Sequence, residues 1–223
     1  MELINKIIEY FHIDDPVLLG IKISIILFAL TIHEYAHGKA ALSLGDPTAK
    51  NAGRLTLNPI PHIDPLGAIF LFIFHFGWAK PVPVNPAYFT DKRKGIILMA
   101  LSGPVSNIAA AFTTGLFMRY FYFNIEIYKV ILVYMIILNT GLGLFNLLPI
   151  PPLDGSHVLE NILPPAIARR FMQTRRYAPI VLLGVLFLDH FTHLNIFGRL
   201  FSYPILKISG LFGGEHFTKL VGI

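Results

Sequence analysis

The sequence predicts an all-α integral membrane protein, a multi-span helical bundle with a re-entrant segment and a small irregular strand-like ribbon. Of its 223 residues 54% are hydrophobic and 14% are charged, and the mean hydropathy is +0.63, unlike a soluble domain. Residues 96–118 and 130–153 contain no charged side chain, and each run can cross a hydrocarbon core of about 30 Å as a helix. A further apolar segment, 66–78, is too short to cross.

The first helix is predicted over residues 17–44 and is ended by the sequence GDP that follows. Its apolar run is interrupted by His33, Glu34 and His37. Ionisable side chains at membrane depth are costly, so these three must be compensated or functional.

The next part of the chain is predicted to be irregular. Residues 45–65 are a polar loop whose prolines forbid a continuous helix. The apolar segment 66–78 is predicted to be re-entrant, because it is too short for a span. Residues 80–89, KPVPVNPAYF, alternate valines and prolines, which is typical of an edge strand or an irregular ribbon. We call residues 80–89 the ribbon.

Three more helices are predicted, over 96–121, 130–148 and 178–197. The stretches SGPVSN and TGLGLFN place small and amide residues inside the first two, which lets helices approach closely and favours an interior position for both. We assign residues 1–198 to one membrane core. Residues 199–223 are interpreted as a C-terminal tail with a short surface helix.

Composition excludes several kinds of chemistry. The absence of cysteine removes disulfides, thiolate catalysis and Cys-ligated metals, so any metal must be held by histidine and carboxylate. The net charge is +5, but the cations cluster at the ends of apolar runs, as in 92–94 and 169–176. That pattern indicates membrane topology and predicts no nucleic-acid partner.

The sequence HEYAH is an H-E-x-x-H motif on the first predicted helix. His33 and His37 lie one turn apart on one face, so both can reach one zinc ion, and Glu34 is placed to hold a metal-bound water. Zinc needs a third protein ligand, for which the candidates are the other histidines and the few acids near membrane depth. Asp154, which follows the run 130–153 directly, is a strong candidate. The alternative is that neighbouring helices merely satisfy these polar groups, which requires a buried partner for each.

The positive-inside rule provides an independent check on Asp154. If the first helix runs toward the cytoplasm, three basic loops all lie there. These loops are 45–65, 79–95 and 155–177. Asp154 then returns to the side that holds the histidines, provided that segment 66–78 does not cross. The metal site is therefore expected inside the membrane, nearer its cytoplasmic surface.

Five blocks in order resemble the site-2 protease family of intramembrane zinc metalloproteases, in its compact bacterial and archaeal members. They are HEYAHG, GRLTLNP, AKPVPVNP, SGPVSN and NLLPIPPLDG. The resemblance implies that His33, His37 and Asp154 bind zinc and that Glu34 is the catalytic base. It also makes Asn146 a candidate for contact with the substrate or the oxyanion. The PDZ and CBS domains that many members carry are not recognised in this sequence.

Less specific predictions concern the other polar residues. Asn107 in SGPVSN contacts the substrate or, as interhelical amides often do, packs helices together. Val82 and Val84 of the ribbon hold an extended substrate by main-chain hydrogen bonds, unless the ribbon is an inert connection. A plain interfacial role is favoured over support of a metal ligand for His62, His75 and His157. A solvated helix end is favoured over a second metal site for the stretch that holds Asp189, His190 and His193.

The predicted function is hydrolysis of peptide bonds in membrane-embedded substrates by zinc-activated water. The predicted partners are transmembrane proteins or peptides and the lipid bilayer, and the predicted location is the prokaryotic cell membrane. Two alternatives stay open: a catalytically inactive protein that binds transmembrane segments, and a metal or proton transporter. The intact motif together with Asp154 argues against the first, and the absence of paired sequence repeats argues against the second.

Overall fold

A computed structural model describes residues 16–74, 77–192 and 194–222. This part of the chain contains nine α-helices and no β-strand, which confirms the predicted all-α membrane fold. In chain order the helices are α1 (Pro16–Ser43), α2 (Thr48–Asn51), α3 (Pro65–Phe74), α4 (Lys92–Tyr120), α5 (Glu126–Asn146), α6 (Asp154–Ile162), α7 (Pro165–Thr174), α8 (Ala178–Thr192) and α9 (Ile196–Val221).

Three helices, α1, α4 and α5, are long and apolar enough to cross a membrane. The 28 residues of α1 extend about 42 Å, more than the thickness of a hydrocarbon core. The three helices pack against one another, and small side chains on two of them, Ala29 of α1 and Ala111 of α4, are buried. Helix α4 begins earlier than predicted, because the Asp91 carboxylate caps it by accepting a hydrogen bond from the Lys94 N–H at 3.0 Å.

The short apolar segment forms α3, whose ten residues extend only about 15 Å. The chain on both sides of α3 meets again in an antiparallel bridge between Ile63 and Ala79. The Lys80 N–H also donates a hydrogen bond to the His62 carbonyl at 2.8 Å. The segment therefore returns to the place where it started, as the re-entrant prediction requires.

The ribbon is irregular, which agrees with the second of the two predicted alternatives, and a regular edge strand does not form in it. No strand forms between residues 80 and 89, and a short 3-10 turn at Pro86–Tyr88 follows its extended part. Three of its residues are prolines, which have no N–H to donate to a ladder.

The last predicted helix is divided in two. Helix α8 ends at Thr192 and α9 begins at Ile196, where the Asp189 carboxylate accepts hydrogen bonds from the Ile196 and Phe197 N–H groups at 2.6 and 3.2 Å. Helix α9 is kinked at Gly214 and packs along α4 and α5, so that Phe217 is fully buried. The division of the chain at residue 198 stays a prediction.

Candidate metal centre and active site

Two imidazoles and one carboxylate converge where α1 meets α6. His33 and His37 lie one turn apart on α1, both are buried, and their Nε2 atoms are 3.0 Å apart. The Oδ2 atom of Asp154 lies 3.1 Å from Nε2 of His33 and 3.3 Å from Nε2 of His37. We call these three residues the ligand cluster. Within the described residues it is the one group of histidine and acidic side chains close enough to hold a metal ion.

Asp154 reaches the cluster through a tight turn. It is the first residue of α6, where the helix dipole favours a negative charge. A side chain at Gly155 would collide with the Leu147 carbonyl, so glycine lets the chain fold back on the end of α5. With protons on the two imidazoles, burial raises the pKa of Asp154 but their hydrogen bonds and charges lower it by more, so the net pKa lies below its ordinary value. A bound cation would take the place of those protons and would likewise hold the carboxyl group ionised.

The hydrogen bonds of the two Nδ1 atoms determine which nitrogen of each imidazole carries the proton. Nδ1 of His37 lies 2.8 Å from the Met99 carbonyl, which can only accept a hydrogen bond, so Nδ1 donates and Nε2 carries a lone pair. Nδ1 of His33 lies 2.7 Å from the amide oxygen of Asn107, which is also only an acceptor. Nδ1 of His33 therefore donates as well, and its Nε2 carries a lone pair. Both Nε2 lone pairs therefore point into the cluster.

The donor set of the cluster fits a cation. Oδ2 of Asp154 is buried and accepts no hydrogen bond from any residue that the structure describes, because neither Nε2 atom has a proton to give. Three electron pairs at 3.0–3.3 Å repel one another unless a positive charge lies between them. Ligand atoms that surround zinc tetrahedrally, each about 2.1 Å from the metal, are separated by about 3.4 Å. The three side chains could thus hold zinc and leave one position open.

Glu34 lies beside the cluster and contacts the ribbon. Its Oε2 accepts a hydrogen bond from the Val82 N–H at 2.8 Å. Val82 is buried and Val84 is half-buried. The ribbon therefore runs next to the proposed catalytic carboxylate.

Helix α4 approaches the cluster through Gly103. A Cβ atom added at Gly103 would lie 2.7 Å from Cε1 of His33 and would also collide with the His37 ring. Only glycine fits here. The sequence indicates a close helix contact at SGPVSN but not that its partners are the two imidazoles.

The structure gives the two predicted asparagines different surroundings. Asn107 is fully buried, and its amide nitrogen donates to the Ala29 carbonyl at 2.9 Å and to the Asn139 amide oxygen at 3.0 Å. With its oxygen next to His33, the amide is fully engaged inside the protein. Asn146 is half-buried at the end of α5 and donates to the Leu142 carbonyl at 3.0 Å. No described hydrogen bond joins Asn146 to the ligand cluster.

Neither His62 nor His157 is a member of the ligand cluster. His62 is buried, and its Nε2 donates to the Thr56 carbonyl at 2.9 Å. Burial and the nearby Arg175 guanidinium, 3.0 Å away, lower the pKa of His157. His75, His193 and the side chain of His190 lie outside the described residues. Asp189 caps α9, as described above.

Sequence reasoning missed Asp46, which ties the ribbon to the end of α1. Its carboxylate is fully buried and accepts hydrogen bonds from the Thr48 N–H at 2.9 Å, the Thr48 hydroxyl and the Asn85 N–H at 2.7 Å. Burial raises the pKa of Asp46, but these hydrogen bonds lower it by more, so the net pKa is below its ordinary value. The sequence GDPT, in which aspartate precedes proline and threonine, is a signal for the local turn but not for the contact with Asn85.

Comparison with known proteins agrees with this geometry. The family model of peptidase family M50 matches residues 21–189. YwhC of Bacillus subtilis, named as a zinc metalloprotease, is 40% identical over 178 residues, which cover 71% of this chain and 76% of the relative. Rip2 of Mycobacterium tuberculosis, also named as a zinc metalloprotease, is 32% identical over 192 residues, covering 83% of this chain and 72% of the relative.

A shorter match, 36% identical over 97 residues, covers 43% of this chain and 49% of the protein MJ0611 of Methanocaldococcus jannaschii, which has the same kind of name. No solved structure gives a significant match. The matches favour neither an inactive binding protein nor a transporter. The chain belongs to peptidase family M50, the site-2 protease family of membrane zinc metalloproteases.

Proposed function

We propose that this zinc metalloprotease hydrolyses peptide bonds in membrane-embedded segments of other proteins, with His33, His37 and Asp154 as its zinc ligands. The observation that carries the proposal is the convergence of three buried lone pairs within 3.3 Å of one another. Zinc bound there lowers the pKa of a coordinated water and polarises the scissile carbonyl.

Glu34 is the proposed general base. It follows His33 directly on α1, and the hydrogen bond from the Val82 N–H orients its carboxylate. Glu34 takes one proton from the attacking water and passes it to the leaving nitrogen, while the remaining hydroxyl joins the carbonyl carbon and the C–N bond breaks. Water must reach this carboxylate from the surface at which α1 ends.

The ribbon is proposed to hold the substrate in an extended form beside Glu34. The Val82 N–H is bonded to Glu34 and the Asn85 N–H to Asp46, and the prolines have none. In the described chain the Val84 N–H has no hydrogen-bond partner, so it is the donor that remains for a substrate carbonyl. Asn146 is a second proposed contact, since one amide hydrogen and its oxygen are not used by the Leu142 carbonyl.

The Val84 contact can be tested without changing the ligand cluster. Val84→Pro removes the N–H and is expected to raise KM about fivefold, the value of one hydrogen bond, with little change in kcat. Val84→Ala keeps the N–H and serves as the control. An unchanged KM in Val84→Pro would mean that the Val84 N–H does not bind the substrate and would favour the alternative that the ribbon only connects α3 to α4.

The active site is proposed to lie nearer the cytoplasmic side of a prokaryotic cell membrane. His37 is six residues from the end of α1 at Ser43, about 9 Å along the axis. The chain before α3 and the chain after α3 meet in the bridge between Ile63 and Ala79, which supports placing both loops on the same side of the membrane. Single cysteines at Thr56, Thr90 and Thr174, in a chain without native cysteine, should all resist labelling from outside intact cells. Labelling of Thr90→Cys alone would mean that the segment crosses, and Asp154 would then have to be withdrawn as a ligand.

The proposed function is tested most simply with Glu34→Gln. Glutamine keeps the shape of the side chain but cannot accept a proton, so single-span proteins that are normally cut should accumulate uncut in membranes that hold the variant. Glu160→Gln is the matched control, because Glu160 lies outside the cluster and pairs with Arg175 at 3.6 Å. Equal amounts of uncut protein in Glu34→Gln and native membranes would refute the role of Glu34.

A further inference from the structure

Asn139 lies in the middle of α5, contacts none of the ligand cluster and is fully buried. It faces the point at which α1, α4 and α5 meet, next to Asn107 of α4. A buried amide in a membrane helix is ordinarily explained as a packing contact between helices. The pattern of its hydrogen bonds points to a more specific role.

Each amide in this pair has one orientation that satisfies its neighbours. The Asn139 nitrogen donates to the Met135 carbonyl of its own helix at 2.9 Å, which turns the Asn139 oxygen toward α4. That oxygen accepts one hydrogen of the Asn107 nitrogen at 3.0 Å, and the Ala29 carbonyl accepts the other at 2.9 Å. With both hydrogens engaged, the Asn107 oxygen is left to face Nδ1 of His33 at 2.7 Å.

The orientation of Asn107 decides which nitrogen of His33 carries the proton. An oxygen opposite Nδ1 selects the form with hydrogen on Nδ1 and a free lone pair on Nε2, which is the form that binds metal. If the Asn107 amide turned over, its NH₂ group would face Nδ1 and select hydrogen on Nε2, which blocks that ligand atom. The Ala29 carbonyl and the Asn139 oxygen are the two acceptors that oppose this reversal.

We propose that Asn139 is a positioning residue of the metal centre, which fixes the orientation of Asn107 and thereby keeps Nε2 of His33 free to bind zinc. The inference rests on the proposed ligand set. Partners behind a metal-bound histidine typically change metal affinity by about tenfold to a hundredfold when removed. His37 supplies an internal comparison, because its Nδ1 is held by the Met99 carbonyl and does not depend on Asn139.

The test measures how fast the purified zinc-loaded protein loses its metal to an excess of chelator. Asn139→Leu keeps the branching of the side chain, although leucine is larger, and removes the acceptor, so zinc should be lost about tenfold faster than from the native chain. The matched control is Thr140→Val, which alters the adjacent, equally buried residue, whose hydroxyl lies 3.4 Å from the Ser209 hydroxyl. Its rate of zinc loss should equal that of the native protein.

A second substitution separates positioning from packing. Asn107→Asp presents an oxygen to His33 whichever way the group turns, so adding it to Asn139→Leu should restore slow zinc loss. The visible spectrum of the cobalt-substituted protein should change in Asn139→Leu and return toward the native spectrum in the double variant. If Asn139→Leu does not fold, Asn139→Ala replaces it, because it removes the same acceptor and should also lose zinc about tenfold faster than the native chain. Asn139→Asp, which in its protonated form supplies both hydrogen bonds, should retain zinc like the native chain.

The outcomes separate this inference from the ligand set on which it rests. A native chain that binds no zinc would overturn the proposed ligands. Native zinc binding with the same rate of loss in Asn139→Leu would overturn only the positioning role. Faster loss in Asn139→Leu and Thr140→Val alike, without restoration by Asn107→Asp, would assign Asn139 to helix packing and equally overturn the proposal.

Discussion

The ligand cluster and the ribbon both adjoin Glu34 but are held in different ways. The cluster is built on helices: α1 supplies two imidazoles, α6 supplies the carboxylate, and α4 supports both rings from behind. The ribbon has no regular structure, and the side chains of Glu34 and Asp46 hold two of its N–H groups. The atoms proposed to bind a metal are thus placed on packed helices, whereas the segment proposed to receive the substrate depends on a few side-chain acceptors.

Because the two regions are held separately, we expect substitutions in one to leave the function of the other unchanged. Changes in the cluster should affect metal binding and the chemical step together, because each of its atoms is a proposed ligand. Changes at the anchors of the ribbon should affect the use of substrate and leave zinc in place.

The largest effect is expected for Asp154→Ala. It removes the proposed third ligand and leaves two neutral imidazoles, so the purified protein should lose zinc and cleavage should fall to background. Glu34→Gln should in contrast retain zinc and lose cleavage. The zinc content of both purified variants and their cleavage of a single-span substrate are measured and compared with those of the native chain. Full zinc content in Asp154→Ala would remove this residue from the ligand set.

Gly103→Ala should weaken the cluster without removing a ligand. The added methyl group meets both imidazoles, and overpacking of this kind costs about 1–3 kcal/mol, which would correspond to a roughly 5- to 160-fold loss of zinc retention if all of it fell on the zinc-bound state. Gly20→Ala on α1 is the control, because a Cβ there has no neighbour within 4 Å. The measurement is zinc loss to a chelator. Equal retention in the two variants would show that α4 has room to move away from the rings.

Asp46→Asn should have a smaller effect, confined to the ribbon. A neutral amide accepts more weakly from the Asn85 N–H, so KM should rise a few-fold, with zinc content unchanged. If zinc is lost as well, the ribbon and the cluster are not separate units.

The same variant has a predicted dependence on pH. The pKa of Asp46 is lower in the folded chain than its ordinary value of 3.8, so its contribution to stability is complete above the unfolded-state pKa and is lost as pH falls through the folded-state pKa. The difference in melting temperature between the native chain and Asp46→Asn should be constant near neutral pH and shrink on acidification. A difference that grows on acidification would contradict the sign of the shift.

Local patterns predicted the parts of the site that depend on neighbours in sequence. Helical spacing alone places His33 and His37 on one face, and the lengths of the apolar runs predict the three long helices. The chain before and after segment 66–78 meets again, as a re-entrant segment requires, and the ten-residue helix within it is too short to span; its position in the membrane stays a prediction.

Contacts between distant residues could not be predicted in this way. Gly103 meets imidazoles about 70 positions earlier, and Asp46 meets Asn85 39 positions later, and neither pairing leaves a periodic signal. The start of α9 depends on a hydrogen bond from Ile196 to Asp189, seven positions earlier, where the sequence looked like one continuous helix. Asn139 and Asn107 are 32 positions apart, and the hydrogen bond between their amides cannot be predicted from either residue alone.

The central claim is that two imidazoles and one carboxylate hold a single zinc ion, and zinc X-ray absorption of the purified protein tests it most directly. We expect one zinc per chain, with two imidazole nitrogens and at least one oxygen about 2.0–2.2 Å from the metal. Asp154→Ala should lose this signal, and Glu34→Gln should keep it. A protein without zinc, or a spectrum with fewer than two imidazoles around the metal, would contradict the proposed ligand set.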